Sequence, residues 1–237
     1  KTIGLEMGGK SPFLVLEDAK IDDTLIDNAI NAAFWNGGQN CSANMRQIIH
    51  SKVKDEFLDK VLKRVKNIKV GDPLDINTNM GSMISKGHLD KVDSYIQKGI
   101  DEGASILHGG ISERNQKGFF AKPTLFDNVK ENMTIAQDEI FGPVLGVLTV
   151  NSTDEALKIA KNSKYGLHGS VFTQDINKAF YIAKNLPCGT ISINTFSEGD
   201  IKTPFGGYKQ SGSLSRDQGT EALNQYLQTK TIWISHS

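Results

Sequence analysis

The sequence predicts an α/β fold: three layers, with helices on both faces of a mainly parallel sheet. Three observations carry that expectation. Short β-rich apolar runs recur along the chain, segments with helical spacing separate them, and turn signals mark the junctions. Strands joined through helices need crossover connections. These make neighbouring strands parallel and cover both faces of the sheet.

The elements follow in order. Phe13-Leu14-Val15-Leu16 is a short apolar run bounded by Pro12 and by Glu17-Asp18, as a buried strand would be. Asp22 and Asp23 offer an N-cap to a helix whose apolar face is Leu25, Ile26, Ala29, Ile30 and Ala33. Asn36-Gly37-Gly38 stops it. Arg46 to His50 reads as a strand. Phe57, Leu58, Val61, Leu62 and Val65 mark one face of a second helix, with Lys60, Lys63, Arg64 and Lys66 on its solvated side. Gly71-Asp72-Pro73 is a turn. A third helix is expected over Lys86 to Glu102 and a strand over Ser105 to His108, with Gly109-Gly110 opening a loop. The second half repeats the theme. Strands are expected at Val144 to Val150, Gly169 to Thr173 and Thr190 to Ile193, and helices at Thr153 to Asn162 and from Ile176 to just before Pro187. Tyr226 to Ser235 reads as a final strand-like segment.

Composition narrows the function classes. The chain has 237 residues, 38% hydrophobic and 23% charged, which suits a globular domain with a substantial core. Lys plus Arg number 27 and Asp plus Glu number 27. This balance lacks the basic footprint of a nucleic-acid binder or of a protein drawn to an anionic membrane. No apolar run approaches the roughly 18 residues of a membrane span, and no leader pattern marks secretion. Two cysteines, Cys41 and Cys188, make no disulfide framework, so a reducing, cytoplasmic setting is expected. The chain begins with Lys1 rather than Met, so a fragment or processed chain is expected.

Gly4-Leu5-Glu6-Met7-Gly8-Gly9-Lys10-Ser11 fits the phosphate-binding pattern G-x-x-x-x-G-K-[ST]. That chemistry needs a helix after the loop, whereas here Pro12 and an apolar strand-like run follow, so nucleotide hydrolysis is set aside. His50, His88, His108, His168 and His236 are scattered, without zinc-site spacing, and each reads as a satisfied surface or core histidine. No metal site is expected. Cys41 closes Gly37-Gly38-Gln39-Asn40-Cys41 just past a helix stop. A thiol on such a loop, near free amides, is accessible and partly ionised. Its alternative is a small buried hydrophobe.

Four segments together resemble the aldehyde dehydrogenase superfamily, in its order and with similar intervals. They are Glu6-Met7-Gly8-Gly9-Lys10-Ser11-Pro12, Asn36-Gly37-Gly38-Gln39-Asn40-Cys41, Gln137-Asp138-Glu139-Ile140-Phe141-Gly142-Pro143-Val144 and Pro204-Phe205-Gly206-Gly207-Tyr208-Lys209-Gln210-Ser211-Gly212. The resemblance implies that Cys41 is the nucleophile, forming a thiohemiacetal and then a thioester. It implies that Glu6 is the general base for thioester hydrolysis, against a solvated loop residue as its alternative. It implies that Glu139 accepts from the nicotinamide-ribose hydroxyls and that Phe141 packs near the nicotinamide. Surface charge and core packing are their alternatives. Phe205 fits the wall of a substrate pocket, or ordinary core, and Cys188 is taken as structural.

The cofactor implied is NAD, with NADP not excluded, and the partner a small aldehyde. Around Phe196 to Ser211 the chain looks most like the branch acting on amine-derived aldehydes, including γ-glutamylaminobutyraldehyde and betaine aldehyde. Residues 1–225 are expected to form the catalytic domain and 226–237 an oligomerisation strand and tail. The family's N-terminal cofactor-binding domain is expected to be absent, and a homodimer or homotetramer is expected of the full-length protein. Three functions stand: an aldehyde dehydrogenase catalytic domain, a catalytically silent assembly module, and a cofactor-independent thiol esterase.

Overall fold

A computed structural model of the chain describes residues 3–113 and 117–236. Strand β1 is Pro12–Val15. Helix α1, Asp23–Phe34, starts where Asp22 Oδ1 accepts the Leu25 N–H at 3.0 Å, an N-cap contact worth about 1 kcal/mol. It runs into a tight turn, Trp35–Gly38, in which Asn36, Gly37 and Gly38 all take positive φ. Strand β2 is Arg46–His50, followed by helices α2, Ser51–Lys66, and α3, Lys86–Asp101. Strands β3, Ser105–His108, and β4, Thr124–Asp127, precede a one-turn helix α4, Thr134–Gln137. Then come β5, Val144–Val150, α5, Thr153–Lys161, β6, Tyr165–Gly166, and β7, His168–Phe172. Helix α6, Ile176–Asn185, and strands β8, Thr190–Ile193, and β9, Tyr208–Lys209, complete the set.

The main sheet has the order β3-β4-β5-β2-β1-β7-β8, and every neighbouring pair is parallel except β3–β4. Side-chain alternation builds a core on each face. Phe13 and Val15 join the core under α1 and α2, with Phe57, Val61 and Val65. Leu14 and Leu16 join the core under α3, α5 and α6, with Leu89, Val92, Ile96, Leu157 and Ile182. β1 and β2 are buried throughout, as parallel strands covered on both faces should be.

Arg46 is the largest fully buried side chain. Its guanidinium donates to the carbonyls of Ile159, Ala160 and Asn162 at 3.2, 2.9 and 3.1 Å, closing the C-terminal end of α5 where carbonyls lack helical partners.

Two features depart from the sequence reading. The antiparallel edge pair β3–β4 and the small β6–β9 pair include strands that periodicity did not reveal. The strand expected over Tyr226–Ser235 is not formed. Residues 227–236 carry no ladder, and Tyr226, Trp233 and Ile234 are 86%, 91% and 72% exposed. A strand needs a neighbour's N–H and C=O groups, and no described segment supplies them. Ser237, at the end of that segment, lies outside the described residues. No helix among the described residues is long and apolar enough to cross a membrane.

Candidate active site

The strand order explains how four distant segments meet. β5, β2 and β1 are adjacent and parallel, with Pro12 opposite Arg46 and Arg46 opposite Gly146. Glu6, Cys41 and Phe141 each lie a few residues ahead of those positions, so all three arrive at the same edge of the sheet, where its strands begin.

Backbone contacts lock the segments together. A Cβ on Gly9 would lie 2.5 Å from the Cys41 carbonyl oxygen, so only glycine lets the first segment press against the second. Gly38, at φ 69°, lies so close to the Gly142 carbonyl that a Cβ would stand 2.6 Å from it, joining the second segment to the third. The first and third meet where the Gly9 N–H donates to Glu139 Oε1 at 3.0 Å. The fourth holds the first: the Met7 N–H donates to the Ser211 carbonyl at 2.9 Å, and Glu6 bridges antiparallel to Gly212. Lys10 and Ser11 are buried and lead directly into β1, so the apparent phosphate-loop pattern opens a strand.

Cys41 is half-buried and Glu6 lies exposed at the rim. The Cys41 thiol and the Glu6 carboxyl lie close enough to shift each other's proton affinity. Burial, then the Glu6 charge, push the thiol up to about 12, with Glu198 adding to the rise. This corrects the expectation of a partly ionised thiol. A carboxylate at its side and desolvation together outweigh the nearby amides. The Glu6 carboxyl is itself raised above the ordinary carboxylate range, first by desolvation and then by Asp217, Glu139 and Glu198. Raised in this way, Glu6 is a better proton acceptor at neutral pH than a free glutamate.

Glu139 is raised by burial, offset by the Gly9 N–H and by Lys91 and Lys10. Phe141 takes a left-handed φ of 59°; its carbonyl meets His88 Nε2 at 2.5 Å and its ring meets the His88 ring edge-on. Glu139, Phe141 and Asn40 line one small recess together with Gly9 and Lys10. On the other side of Asn40, a cavity of about 430 Å3 is lined by Asn31, Trp35, Asn40, Phe196, Glu198 and Gly199. Phe205 is buried and pinned by reciprocal 2.7 Å backbone bonds with Asp217. It does not line that cavity, whereas Trp35 and Phe196 do. Cys188 is half-buried and packs against the core.

Sequence reasoning missed Glu198. Its Oε1 accepts from Asn40 Nδ2 at 3.2 Å and from the Ser42 hydroxyl, gripping the residues on either side of Cys41. Bonded to Ser197, next to Glu198, is His168, buried and pushed down to about 4 by desolvation, hence neutral at pH 7. The Ser197 carbonyl can only accept, so Nε2 carries the proton and donates to it at 2.9 Å, while Nδ1 accepts from Asn44 at 3.2 Å.

The structure thus defines an α/β domain whose converging loops bring a cysteine thiol and a raised glutamate together. The particular family follows from comparison. The sequence profile of the aldehyde dehydrogenase family matches residues 1–232, and this chain belongs to that family. It is 40% identical to a betaine aldehyde dehydrogenase of Brucella melitensis, over 99% of this chain and 48% of that one. It is 38% identical to an aminoacetaldehyde dehydrogenase of Pseudomonas aeruginosa, over 100% of this chain and 47% of that one. The fold matches an aldehyde dehydrogenase of Bacillus cereus solved with NAD+, with TM-score 0.96 and 41% identity, covering 100% of this chain and 48% of that one. The chain spans between 26% and 49% of the length of the curated relatives it matches.

Proposed function

We propose that this chain is the catalytic part of an NAD(P)-dependent aldehyde dehydrogenase, oxidising an aldehyde to a carboxylic acid. The observation that carries the reading is the Cys41–Glu6 pair at the edge where the conserved-order segments converge. Glu6 accepts the thiol proton, and the Cys41 sulfur attacks the aldehyde carbon. No carbonyl accepts the Cys41 backbone N–H among the described residues, which leaves it to stabilise the oxyanion of the thiohemiacetal. NAD, when bound, accepts the hydride leaving that carbon. The acyl group then rests on the sulfur as a thioester, and Glu6 takes the proton of the water that hydrolyses it.

The residues present fit the nicotinamide-riboside end of the cofactor. Glu139 Oε1 is held by Gly9, Oε2 has no donor among the described residues, and a carboxylate oxygen suits ribose hydroxyls. Phe141 shares the same recess. NAD is the cofactor proposed, and NADP is distinguished only by contacts at the adenosine end. The exposed apolar tail around Ile232, Trp233 and Ile234 supports a homodimer or homotetramer, and two free cysteines suit the cytoplasm.

The test is direct. The protein expressed at the full length of its reading frame should form NADH from aldehydes, and Cys41→Ala should not. Because the thiol–carboxyl pair is complete without cofactor, thiol esterase activity is the second reading. Hydrolysis of an activated ester without NAD, with no NADH formed from any aldehyde, would favour it.

A further inference from the structure

We infer that Lys209 and Ser211 are positioning residues for Glu6: they strap the segment that carries this base to the C-terminal end of α5, which also anchors the segment carrying Cys41. The inference rests on the aldehyde dehydrogenase reading and adds a positioning device to it. Glu6 lies exposed at the rim, in a stretch outside the named strands. Among the described residues, the backbone hydrogen bonds of Leu5 to Met7 all go to one place. The Met7 N–H donates to the Ser211 carbonyl at 2.9 Å, the Leu5 N–H donates to Ser213 Oγ at 3.1 Å, and the Leu5 carbonyl accepts from the Ser213 N–H at 3.2 Å. Gly212 stands opposite Glu6 itself, so close that a Cβ there would lie 2.9 Å from the Leu5 carbonyl oxygen. Where residues 211–213 sit therefore decides where Glu6 sits.

Those residues are in turn tied to the end of α5 and the turn that follows it. Lys209 Nζ donates to the carbonyls of Lys161 and Ser163 at 3.0 and 2.8 Å. A cation is favoured there, because the last carbonyls of a helix lack helical partners. The Gln210 N–H donates to the Lys164 carbonyl at 3.1 Å, and the Gly166 N–H donates to Ser211 Oγ at 2.9 Å. Ser211 is fully buried, with its hydroxyl on Gly166 and its carbonyl on Met7. Lys209 also takes a φ of 51°, in the left-handed region that is costly for a residue with a Cβ. Its two side-chain bonds hold that kink, and the kink turns the chain out of β9 toward Ser211.

The nucleophile is referred to the same helix end. Arg46, five residues after Cys41, donates to the carbonyls of Ile159, Ala160 and Asn162. Base and nucleophile arrive from opposite ends of the chain's sequence order, yet each is a short run of bonds from one element. Misplacing a reacting group by about 1 Å can cost on the order of 10²-fold in rate, so a shared anchor has direct kinetic value.

The test uses Lys209→Met and Ser211→Ala in the protein at the full length of its reading frame. Each should slow steady-state turnover by about tenfold while the NADH burst keeps nearly its full amplitude, as expected when thioester hydrolysis is the step impaired. Lys209→Arg, which can still donate to both carbonyls, should restore the wild-type pattern. Added to Glu6→Gln, Lys209→Met should cost no more than about twofold further, because the base it positions is already gone. Wild-type turnover in both variants, a burst that shrinks in step with turnover, or a full tenfold loss in the Glu6→Gln background overturns the inference. A second readout needs no dehydrogenase activity. Glu6 adds to the rise of the Cys41 thiol, so loosening Glu6 eases formation of the thiolate. Ser211→Ala, which alters no charge, should therefore speed alkylation of Cys41 by about threefold at pH 7 and leave Cys188 unchanged. That selective gain upholds the strap even if no aldehyde is oxidised, an outcome that would count against the enzyme reading alone. Equal gains at both cysteines, or none at either, remove the strap.

Discussion

The two cysteines occupy opposite electrostatic surroundings. Cys41 sits on a glycine-rich loop, with Glu6 and Glu198 adding to the effect of burial. Cys188 sits just before β8 against the core, with Arg46 and Lys209 pulling against burial. Both thiols are nonetheless pushed up to about 12. The cysteine with cations nearby looks the better candidate for a thiolate by charge alone, yet it has no carboxyl partner to take its proton. The cysteine made harder to ionise has that partner in contact. Under the proposed mechanism, what marks Cys41 is a base within reach and a site for the developing oxyanion, not a low resting pKa.

The largest break between the two sites should come from removing each sulfur. Cys41→Ala should lower aldehyde oxidation by on the order of 10³-fold or more, since the covalent route disappears. Cys188→Ala should leave turnover in place and cost about 1 kcal/mol of stability, read from denaturant midpoints. Equal activity losses would mean that Cys188 serves the reaction and that the contrast is mistaken.

Glu6→Gln sharpens the same contrast. A positioned base contributes about 10²–10⁴-fold, so the loss should fall on thioester hydrolysis. A burst of NADH near one equivalent per site, followed by slow turnover, is expected by stopped-flow absorbance. If the burst itself slows, Glu6 also serves as the acceptor of the Cys41 proton. Turnover at the wild-type rate would remove Glu6 from the chemistry.

How much of this was legible beforehand depends on the range of the signal. β1, β2 and β5 announce themselves because strands buried on both faces are locally apolar, and the cap at Asp22 is local as well. β3 was expected at Ser105 to His108, whereas β4 follows Pro123 without a helix before it and gives no clear period. The Tyr226–Ser235 segment has strand-like residues, but pairing is a property of two segments, and no described segment pairs with it. At the site, Cys41, Glu6, Glu139 and Phe141 lie in recognisable segments. Glu198 does not, because its meaning lies in hydrogen bonds to Asn40 and Ser42 across more than 150 residues of chain. His168 was read as a satisfied core histidine, and its partners Asn44, Ser192 and Ser197 satisfy it.

The buried imidazole of His168 gives a pH prediction for the segment that carries Ser197 and Glu198. The folded pKa of His168, near 4, lies below the unfolded value of 6.5, so the unfolded chain binds the extra proton between those limits. Stability should be full above the unfolded pKa and fall by roughly 3 kcal/mol as pH drops from 6.5 to 4. Urea midpoints across that range read the effect, and the slope should become shallower in His168→Gln, by the share that His168 contributes, even if that variant is less stable throughout. A slope unchanged from the wild type would place the titration elsewhere.

The smallest expected difference concerns the thiols themselves. Two thiols raised to about 12 should both react slowly with iodoacetamide at neutral pH, and both rates should climb about tenfold per pH unit as the thiolate fraction grows. Access and local charge then decide the order. Cys41 is half-buried on a loop outside the core clusters, whereas Cys188 packs against the hydrophobic core near Arg46. Cys41 should therefore label faster, by about tenfold, in peptide maps taken after brief alkylation. Glu6→Gln should widen the gap, because removing the neighbouring negative charge lowers the cost of the Cys41 thiolate and leaves Cys188 untouched. If Cys188 labels first, the Arg46 guanidinium has made it the more reactive sulfur. Assigning catalysis to Cys41 would then need support from the Cys41→Ala activity loss alone.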